Sequence, residues 1–285
     1  MVKRTLKELT LKDNFMFGAV MSDEENCRRL LEMILQFPIA RVEVSKEKNI
    51  VYHPEYKGVR LDIYAKDENN THYNVEMQAV CKAALGKRAR YYHSQIDMEL
   101  LKSGADYMEF PDAYVIFICD FDPFGERKYC YTFEQRCQES ETVRMNDGSR
   151  SIFLSTCGEN PEDVPAPMVK FLEYVKADLS ESQKDFEDEY VATLQRSVQH
   201  IKSKREMEER FMLWELLLRD ERREGKAEGK AEGKAEDILE LLSDLGIVSQ
   251  ELQDRIMGEK DLSVLKSWIK LAAKSESIEQ FIQKM

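Results

Sequence analysis

The chain has 285 residues, a formal net charge of −12 and a hydrophobic share of 42%. This length suits one domain with an appendage or two small domains, and the composition allows a buried core. The acidic balance excludes a protein that coats nucleic acid over its whole surface, although it leaves room for a local basic groove.

The sequence carries no signature of a membrane or secreted protein. No apolar run reaches the roughly 18–20 residues of a membrane span, and the N-terminus lacks the apolar segment of a secretion signal. The cysteines are scattered without a CxxC pair, at Cys27, Cys81, Cys119, Cys130, Cys137 and Cys157. We therefore expect reduced thiols, no zinc site and a cytoplasmic location.

The first predicted elements are two helices within residues 13–36, with Asp23 placed to cap the second. Residues 41–53 are expected to be extended. The stretches "RLDIYAKD" and "HYNVEMQ" each alternate polar and apolar residues on either side of the turn cluster "ENNT". This pattern predicts a β-hairpin over residues 60–78.

The hairpin carries polar residues that strands disfavour, namely Asp62, Glu76 and Gln78. Alternation places Asp62 on one face of the first strand, and Glu76 and Gln78 on one face of the second. A loop of two or four residues would set Asp62 opposite Met77, on the wrong face. A loop of three or five residues, or a bulge, would set Asp62 opposite Glu76 or Gln78.

Two interpretations of this polar face are open. It is either a solvated hairpin face or a site where two carboxylates meet. A hard divalent cation resolves the repulsion of such a pair, because Mg²⁺ takes carboxylates, backbone carbonyls such as that of Met77, and phosphate oxygens. Bound there, the cation would polarise a phosphodiester and activate water.

The downstream pattern predicts further strands and then only helices. An amphipathic helix is expected over 87–103, closed by Gly104, and "AYVIFICDF" (113–121) is typical of a buried strand. Strands are expected in "KYCYTFEQR" and "SIFLST", with a turn at 146–148. Beyond about residue 160 the strand signals stop.

A four-residue repeat, "EGKAEGKAEGKAE" (224–236), precedes an apolar helical tail over 237–285. Each i,i+4 neighbour in the repeat is like-charged, and each glycine costs about 1 kcal/mol relative to alanine in a helix. The repeat alone is therefore a weak helix or a linker, and it serves either as a spacer or as an oligomer contact. We divide the chain into a domain over 1–205 and a helical region over 206–285.

An Asp followed about a dozen residues later by Glu-x-Gln resembles the PD-(D/E)XK nuclease core. The wider series resembles the recombination-promoting nuclease (Rpn) family, also labelled PD-(D/E)XK nuclease family transposases. Its strings are "LKDNFMFGAV", "KGVRLDIYAKDENNTHYNVEMQ", "RARYYHSQIDMELLKSGADY", "YVIFICDFDPF", "NDGSRSIFLST" and the EGKA repeat, over roughly residues 8–236. The resemblance implies an α/β, restriction-endonuclease-like core, with a mixed central sheet flanked by helices and an α-helical C-terminal extension.

The resemblance also implies a function. It predicts a metal-dependent DNA endonuclease linked to recombination, mobile elements or defence, which uses Mg²⁺ or another divalent cation such as Mn²⁺ or Ca²⁺. DNA is the expected partner, and the helical C-terminal region is expected to form a homo-oligomer. The alternative is a nuclease fold with weak or no turnover that binds DNA or a partner.

The family pattern carries over residue by residue. Asp62 and Glu76 correspond to metal ligands and Gln78 to the third motif position. Asp13, in "KDNF", resembles the acidic residue on the family's first helix, and an N-cap role is its alternative. Arg90, with the neighbouring Tyr91 and Tyr92, resembles the "RxRYY" helix near the site, and only one of the two tyrosines is expected in the core because adjacent residues do not share a helix face.

The third motif position departs from most of the superfamily, where a lysine orients or activates the attacking water. Gln78 has no charge and cannot act as a base. The cations nearest in sequence are Lys82, Lys87, Arg88 and Arg90, which are also the candidates for contacts with DNA phosphates. A solvated helix face is the alternative for the first three, and a structural pairing with a site carboxylate is the alternative for Arg90.

Overall fold

The computed structural model describes residues 4–50, 59–100 and 106–285. The chain divides into two compact units, Met1–Phe211 and Met212–Met285. Within the described ranges, no helix combines the length and the apolar character needed to cross a bilayer. The domain division at 205/206 stays a prediction.

A mixed sheet of six strands forms the centre of the first unit, in the order β1-β2-β3-β4-β6-β5. The three middle strands β3, β4 and β6 are parallel, and the outer pairs are antiparallel. The strands are β1 (Val42–Ile50), β2 (Val59–Asp67), β3 (His72–Gln78), β4 (Ala113–Cys119), β5 (Cys130–Phe133) and β6 (Ser149–Ser155). Every residue of β3 and β4 is buried, as expected for parallel strands covered on both faces.

Helices flank this sheet, which confirms the expected α/β core. They are α1 (Asn14–Met21), α2 (Glu24–Leu35), α3 (Leu85–Leu100), α4 (Ala166–Lys176) and α5 (Glu189–Ser203). The predicted cap of α2 is confirmed, because the backbone N–H of Asn26 donates to the Asp23 carboxylate at 3.0 Å. Residues 51–53 of the predicted extended segment, and the predicted cap at Gly104, lie outside the described residues.

Helix α3 connects the parallel strands β3 and β4. Parallel neighbours cannot be joined by a tight turn, so the chain has to cross over one face of the sheet. The apolar side of α3 packs on that face in one cluster of buried side chains, which includes Leu85, Ala89, Tyr92, Ile96, Val115, Phe117 and Cys119. Helix α3 therefore covers the sheet where β3 and β4 run side by side.

The β2–β3 hairpin closes with a three-residue loop, Glu68, Asn69 and Asn70. The backbone N–H of Asp67 donates to the Thr71 carbonyl at 3.1 Å. Asn70 adopts a left-handed φ of 64°, which asparagine tolerates better than most residues. The predicted requirement for a loop of odd length is confirmed.

The second unit is helical. Its long helix α6 (Arg205–Ser243) begins within the first unit, and α7 (Gln250–Gly258), α8 (Leu262–Ala272) and α9 (Ile278–Lys284) follow. The EGKA repeat is helical throughout, and two of its alanines, Ala231 and Ala235, are buried in the same apolar cluster as Trp268 and Phe281. This packing supplies the support that the repeat lacks in intrahelical ion pairs.

Candidate active site

Two acidic side chains meet where the β2–β3 ladder ends. The backbone ladder runs from Lys66 opposite His72 to Ile63 opposite Val75. One step further, the backbone N–H of Asp62 donates to Glu76 Oε1 at 3.1 Å. In return, the backbone N–H of Met77 donates to Asp62 Oδ2 at 3.1 Å. Each carboxylate thus reaches the opposite strand, and Asp62 and Glu76 occupy the same cross-strand position.

Four alternate residues of β3 share one face of the sheet, and we call them the polar stripe: His72, Asn74, Glu76 and Gln78. All four are buried. The interpretation of a solvated hairpin face is therefore wrong. The reason is the crossover, because α3 packs over this face of the sheet and excludes water from it.

Burial and a like charge act together on Glu76. Loss of solvation and, after it, the neighbouring charge of Asp62 raise the pKa of its carboxyl to about 8. The hydrogen bond from Asp62 and the positive charge of Arg88 lower the pKa only in part. At neutral pH Glu76 therefore favours its protonated form, unless a further cation binds beside Asp62 and Glu76.

Gln78 holds an arginine of α3 beside the acidic pair. Its Oε1 accepts from Arg88 Nη1 at 2.8 Å, and its Nε2 donates to the Met77 carbonyl at 2.9 Å. Arg88 Nη2 donates to the Tyr92 hydroxyl at 2.8 Å and lies 3.7 Å from Glu76 Oε2. The amide of Gln78 thus links the strand backbone to a fixed positive charge.

The other predicted cations lie elsewhere on the surface. Lys82, Lys87 and Arg90 are exposed. Among the described residues Arg88, not Arg90, lies beside Glu76. Helix residues two positions apart differ by about 200° in direction, so the alternative of a carboxylate pairing for Arg90 is not realised. Arg90 instead lines a cleft of about 520 Å³ together with His93 and Asp97.

The two adjacent tyrosines divide as expected from their helical positions. Tyr92 is buried and stacks on Phe117 with ring centroids 6.0 Å apart. Tyr91 is half-buried and packs at the edge of the same cluster. Tyr92 therefore supports the site through its packing and through its hydroxyl, which accepts from Arg88.

Asp13 is engaged at the start of α1. Its carboxylate accepts from Arg4 Nη2 at 2.7 Å and from the Thr10 backbone N–H at 2.7 Å, and it does not cap the helix through its side chain. The described part of the chain contains no group of three or more His, Cys, Asp or Glu arranged to share an ion. The roles of Asp13 and of the Met77 carbonyl as ligands stay predictions.

The donor set at the end of the ladder fits a hard divalent cation. Such ions prefer carboxylate and carbonyl oxygens. Asp62 and Glu76 provide two carboxylates whose mutual repulsion Arg88 offsets only in part. A cation at this position would relieve the repulsion and favour the ionised form of Glu76.

Sequence reasoning missed one residue of the polar stripe, Asn74. Its side-chain nitrogen and oxygen are both buried without a hydrogen-bond partner among the described residues, as is Nε2 of His72. Nδ1 of His72 lies 2.6 Å from the Tyr64 hydroxyl. Alternation places Asn74 on the face of Glu76, but only the packed structure shows that its amide is unpaired.

A model of the family described as PD-(D/E)XK nuclease family transposase matches residues 11–155 of the chain. The match includes the whole sheet, helices α1 to α3 and the acidic pair. No curated protein and no solved structure matches the chain.

The raised pKa of Glu76 predicts how stability depends on pH. A carboxyl with a higher pKa in the folded state binds more protons when folded, so stability is full below the unfolded pKa of about 4.5 and falls as pH rises toward about 8. In EDTA, we expect the wild type to lose melting temperature between pH 5 and pH 8, and Glu76→Gln to lose less. Thermal unfolding followed by circular dichroism measures both curves.

The matched control for this prediction is Glu173→Gln, which removes an exposed carboxylate of α4. It should follow the wild-type curve. A Glu76→Gln curve with the wild-type slope would show that Glu76 is already ionised in the folded protein at pH 5.

Proposed function

Because the chain belongs to the PD-(D/E)XK nuclease family transposases, we propose that it is a metal-dependent DNA endonuclease. Family membership supports a nuclease- or transposase-related function. The observation that carries the finer proposal is the exchange of carboxylates across the end of the hairpin, which brings Asp62 and Glu76 together beside Arg88.

Nucleases of this type generally use divalent metal ions. In this chain Asp62 and Glu76 would hold the ion, with the Met77 carbonyl as a third oxygen and Asp13 as a further candidate. Such an ion, proposed as Mg²⁺ with Mn²⁺ or Ca²⁺ as substitutes, would supply the positive charge that polarises a phosphodiester and activates water. The chain's own task is to keep both carboxylates ionised and oriented toward one point.

Arg88 supplies the positive charge that a lysine supplies at the third motif position in most of the superfamily. A guanidinium stays protonated, so Arg88 does not act as a base. It instead stabilises the negative charge that develops on the phosphate in the transition state. Gln78 positions this charge through its 2.8 Å hydrogen bond, which gives the uncharged third position a role.

DNA contacts are proposed for the first turns of α3 and the segment before it. Lys82, Lys87 and Arg90 are exposed there, close in sequence to Arg88. Lysine and arginine bind phosphates without regard to base sequence. The local basic cluster therefore suits the DNA backbone on a chain that is acidic overall.

The helical C-terminal region is proposed to form a homo-oligomer. One face of α6 exposes four large apolar side chains at helical spacing, with exposures of 44% to 58%: Met212, Leu213, Leu216 and Leu217. Neighbouring positions i and i+4 lie on one side of a helix, so the four form one patch. Apolar patches of this kind mark interaction surfaces, which supports an assembly role for the region over 206–285. The nuclease domain is proposed over 1–205, and the protein is proposed to be cytoplasmic.

The endonuclease proposal predicts a joint requirement for a metal and for Asp62. Purified protein should convert supercoiled plasmid DNA to nicked or linear forms in Mg²⁺ but not in EDTA. Asp62→Ala and Glu76→Gln should abolish cleavage, because either substitution leaves a single carboxylate. Gel electrophoresis of timed reactions measures the conversion, and Glu173→Gln should cleave like the wild type.

DNA binding that persists in both Asp62→Ala and the wild type, without cleavage by either, would instead support the binding-module alternative. Cleavage that survives in Asp62→Ala would refute the proposed site, because the activity would then come from another site or from a contaminating nuclease.

The proposed role of Arg88 predicts a graded effect of substitution. Arg88→Met should lower kcat about 100-fold because it removes the positive charge from the phosphate. Arg88→Lys should recover part of the loss, since it restores the charge without the fork that bonds Gln78 and Tyr92. Single-turnover cleavage of a labelled duplex separates this effect from DNA affinity. Arg205→Met, on an exposed turn of α6, is the matched control and should leave kcat unchanged.

The assembly proposal predicts that the wild type has a mass in solution that is a multiple of 33.4 kDa. The double variant Leu213→Lys, Leu217→Lys should be a monomer because it places two charges in the apolar patch. Light scattering coupled to size exclusion measures both masses. Ile247→Lys, at an isolated apolar residue that is 97% exposed, should keep the wild-type mass, and a monomeric wild type would refute the assembly.

A further inference from the structure

Asn74 lies in the middle of β3 and is 0% exposed, and neither its amide nitrogen nor its amide oxygen has a partner among the described residues. Its neighbours across the two ladders are Tyr64 on β2 and Val115 on β4. An unpaired buried amide destabilises a fold, because both polar atoms lose their hydrogen bonds to water. A β-branched apolar residue would suit this position of a central strand better.

The same unit shows how the fold treats a buried asparagine with a structural role. Asn26, on α2, is 3% exposed, and its Nδ2 donates to the Val20 carbonyl at 3.1 Å and to Ser197 Oγ at 3.1 Å. Asn26 therefore ties three segments together. Asn74 makes no comparable contact, so its presence is not explained by the packing of the described chain.

The position of Asn74 on β3 indicates a link to the acidic pair Asp62 and Glu76. It precedes Glu76 by two residues and lies on the same face of β3, inside the polar stripe. The Asn74 amide already lowers the pKa of the Glu76 carboxyl, although the two side chains do not meet in a hydrogen bond of good geometry. One oxygen of Glu76 accepts from Asp62, and the other lies 3.7 Å from Arg88. Asn74 is thus a buried donor on the same strand face as the Glu76 carboxylate.

We propose that Asn74 is a positioning residue for Glu76, and that its Nδ2 donates to the Glu76 carboxylate when Asp62 and Glu76 hold a divalent cation. This inference rests on the proposed metal-dependent function. An ionised carboxylate in a dry site needs donors on the side away from the cation, and Asn74 is the buried donor next to it. Such outer partners fix the orientation of a ligating carboxylate.

This role accounts for a residue that weakens the cation-free fold. In the cation-free state the amide stays unpaired, and in the loaded state it orients Glu76. The alternative is a purely structural asparagine, satisfied by a buried water molecule that bridges it to the strands. The two roles predict opposite effects when the amide is replaced by an apolar group of similar size.

The test uses the full chain with Asn74→Leu and with Asn74→Val, whose smaller side chain controls for overpacking of the site. Thermal unfolding is measured in EDTA and again with Mg²⁺ alone. In EDTA we expect both variants to melt about 2–4 °C above the wild type, because the unpaired amide is gone. The increase in melting temperature caused by Mg²⁺ should shrink in both variants, and kcat for cleavage should fall about tenfold with little change in KM.

Asn26→Leu is the matched control. It should melt below the wild type in EDTA, because it breaks two hydrogen bonds, and it should keep the full effect of Mg²⁺. If Asn74→Leu and Asn74→Val also melt below the wild type, or if they keep the wild-type response to Mg²⁺ and the wild-type kcat, the inference is wrong. A wild type whose melting temperature does not respond to Mg²⁺ would refute the proposed metal site itself, which is a separate result.

Discussion

The candidate site depends on one interaction, the exchange of hydrogen bonds between two strands through their carboxylates. Where the backbone ladder of β2 and β3 stops, Asp62 and Glu76 each accept from a backbone N–H of the opposite strand. This exchange requires the register set by the three-residue loop, and the Asp67 carboxylate fixes that loop by accepting from the backbone N–H groups of Asn69 and Thr71. A slip of one residue would turn Asp62 toward the other face of the sheet. The loop at one end of the hairpin thus decides which side chains meet at the other end.

Helix α3 buries the two carboxylates, and this burial changes their electrostatics. In water, two carboxylates across a hairpin would repel each other weakly, since solvent screens them. Under α3, Glu76 loses solvation, and its pKa rises because the charged form is disfavoured. Arg88 compensates part of this loss. One guanidinium still leaves one negative charge uncompensated when Asp62 and Glu76 are both ionised. This burial destabilises the cation-free fold. It would also strengthen the attraction between the two carboxylates and a bound cation, so the proposed function comes at a cost in stability.

The sequence predicted those parts of the fold that depend on local pattern. Alternation identified the hairpin and its polar face, and an apolar run identified β4. It did not show that α3 covers the polar face, because amphipathic spacing tells which side of a helix is apolar but not which face of a sheet it meets. For the same reason it could not separate Arg88 from Arg90 as the partner of Glu76. The EGKA repeat was judged by local propensity, which omits the burial of Ala231 and Ala235 against the helices that follow.

The location of the positive charge links the site to the core. A lysine on β3 would be held by the strand itself, whereas Arg88 belongs to the helix that crosses over the sheet. Its reach to Glu76 and Gln78 therefore depends on how α3 packs on Phe117 of β4 through its own Tyr92. The Arg88 guanidinium lies 5.5 Å from the ring centroid of Phe117 and 5.4 Å from that of Tyr92. A substitution that loosens the packing of α3 would therefore displace the Arg88 guanidinium, while the hairpin would still hold Asp62 and Glu76 in place. A glutamine at the third position is thus compatible with a charged site, provided that the crossover helix is packed well enough to deliver the charge.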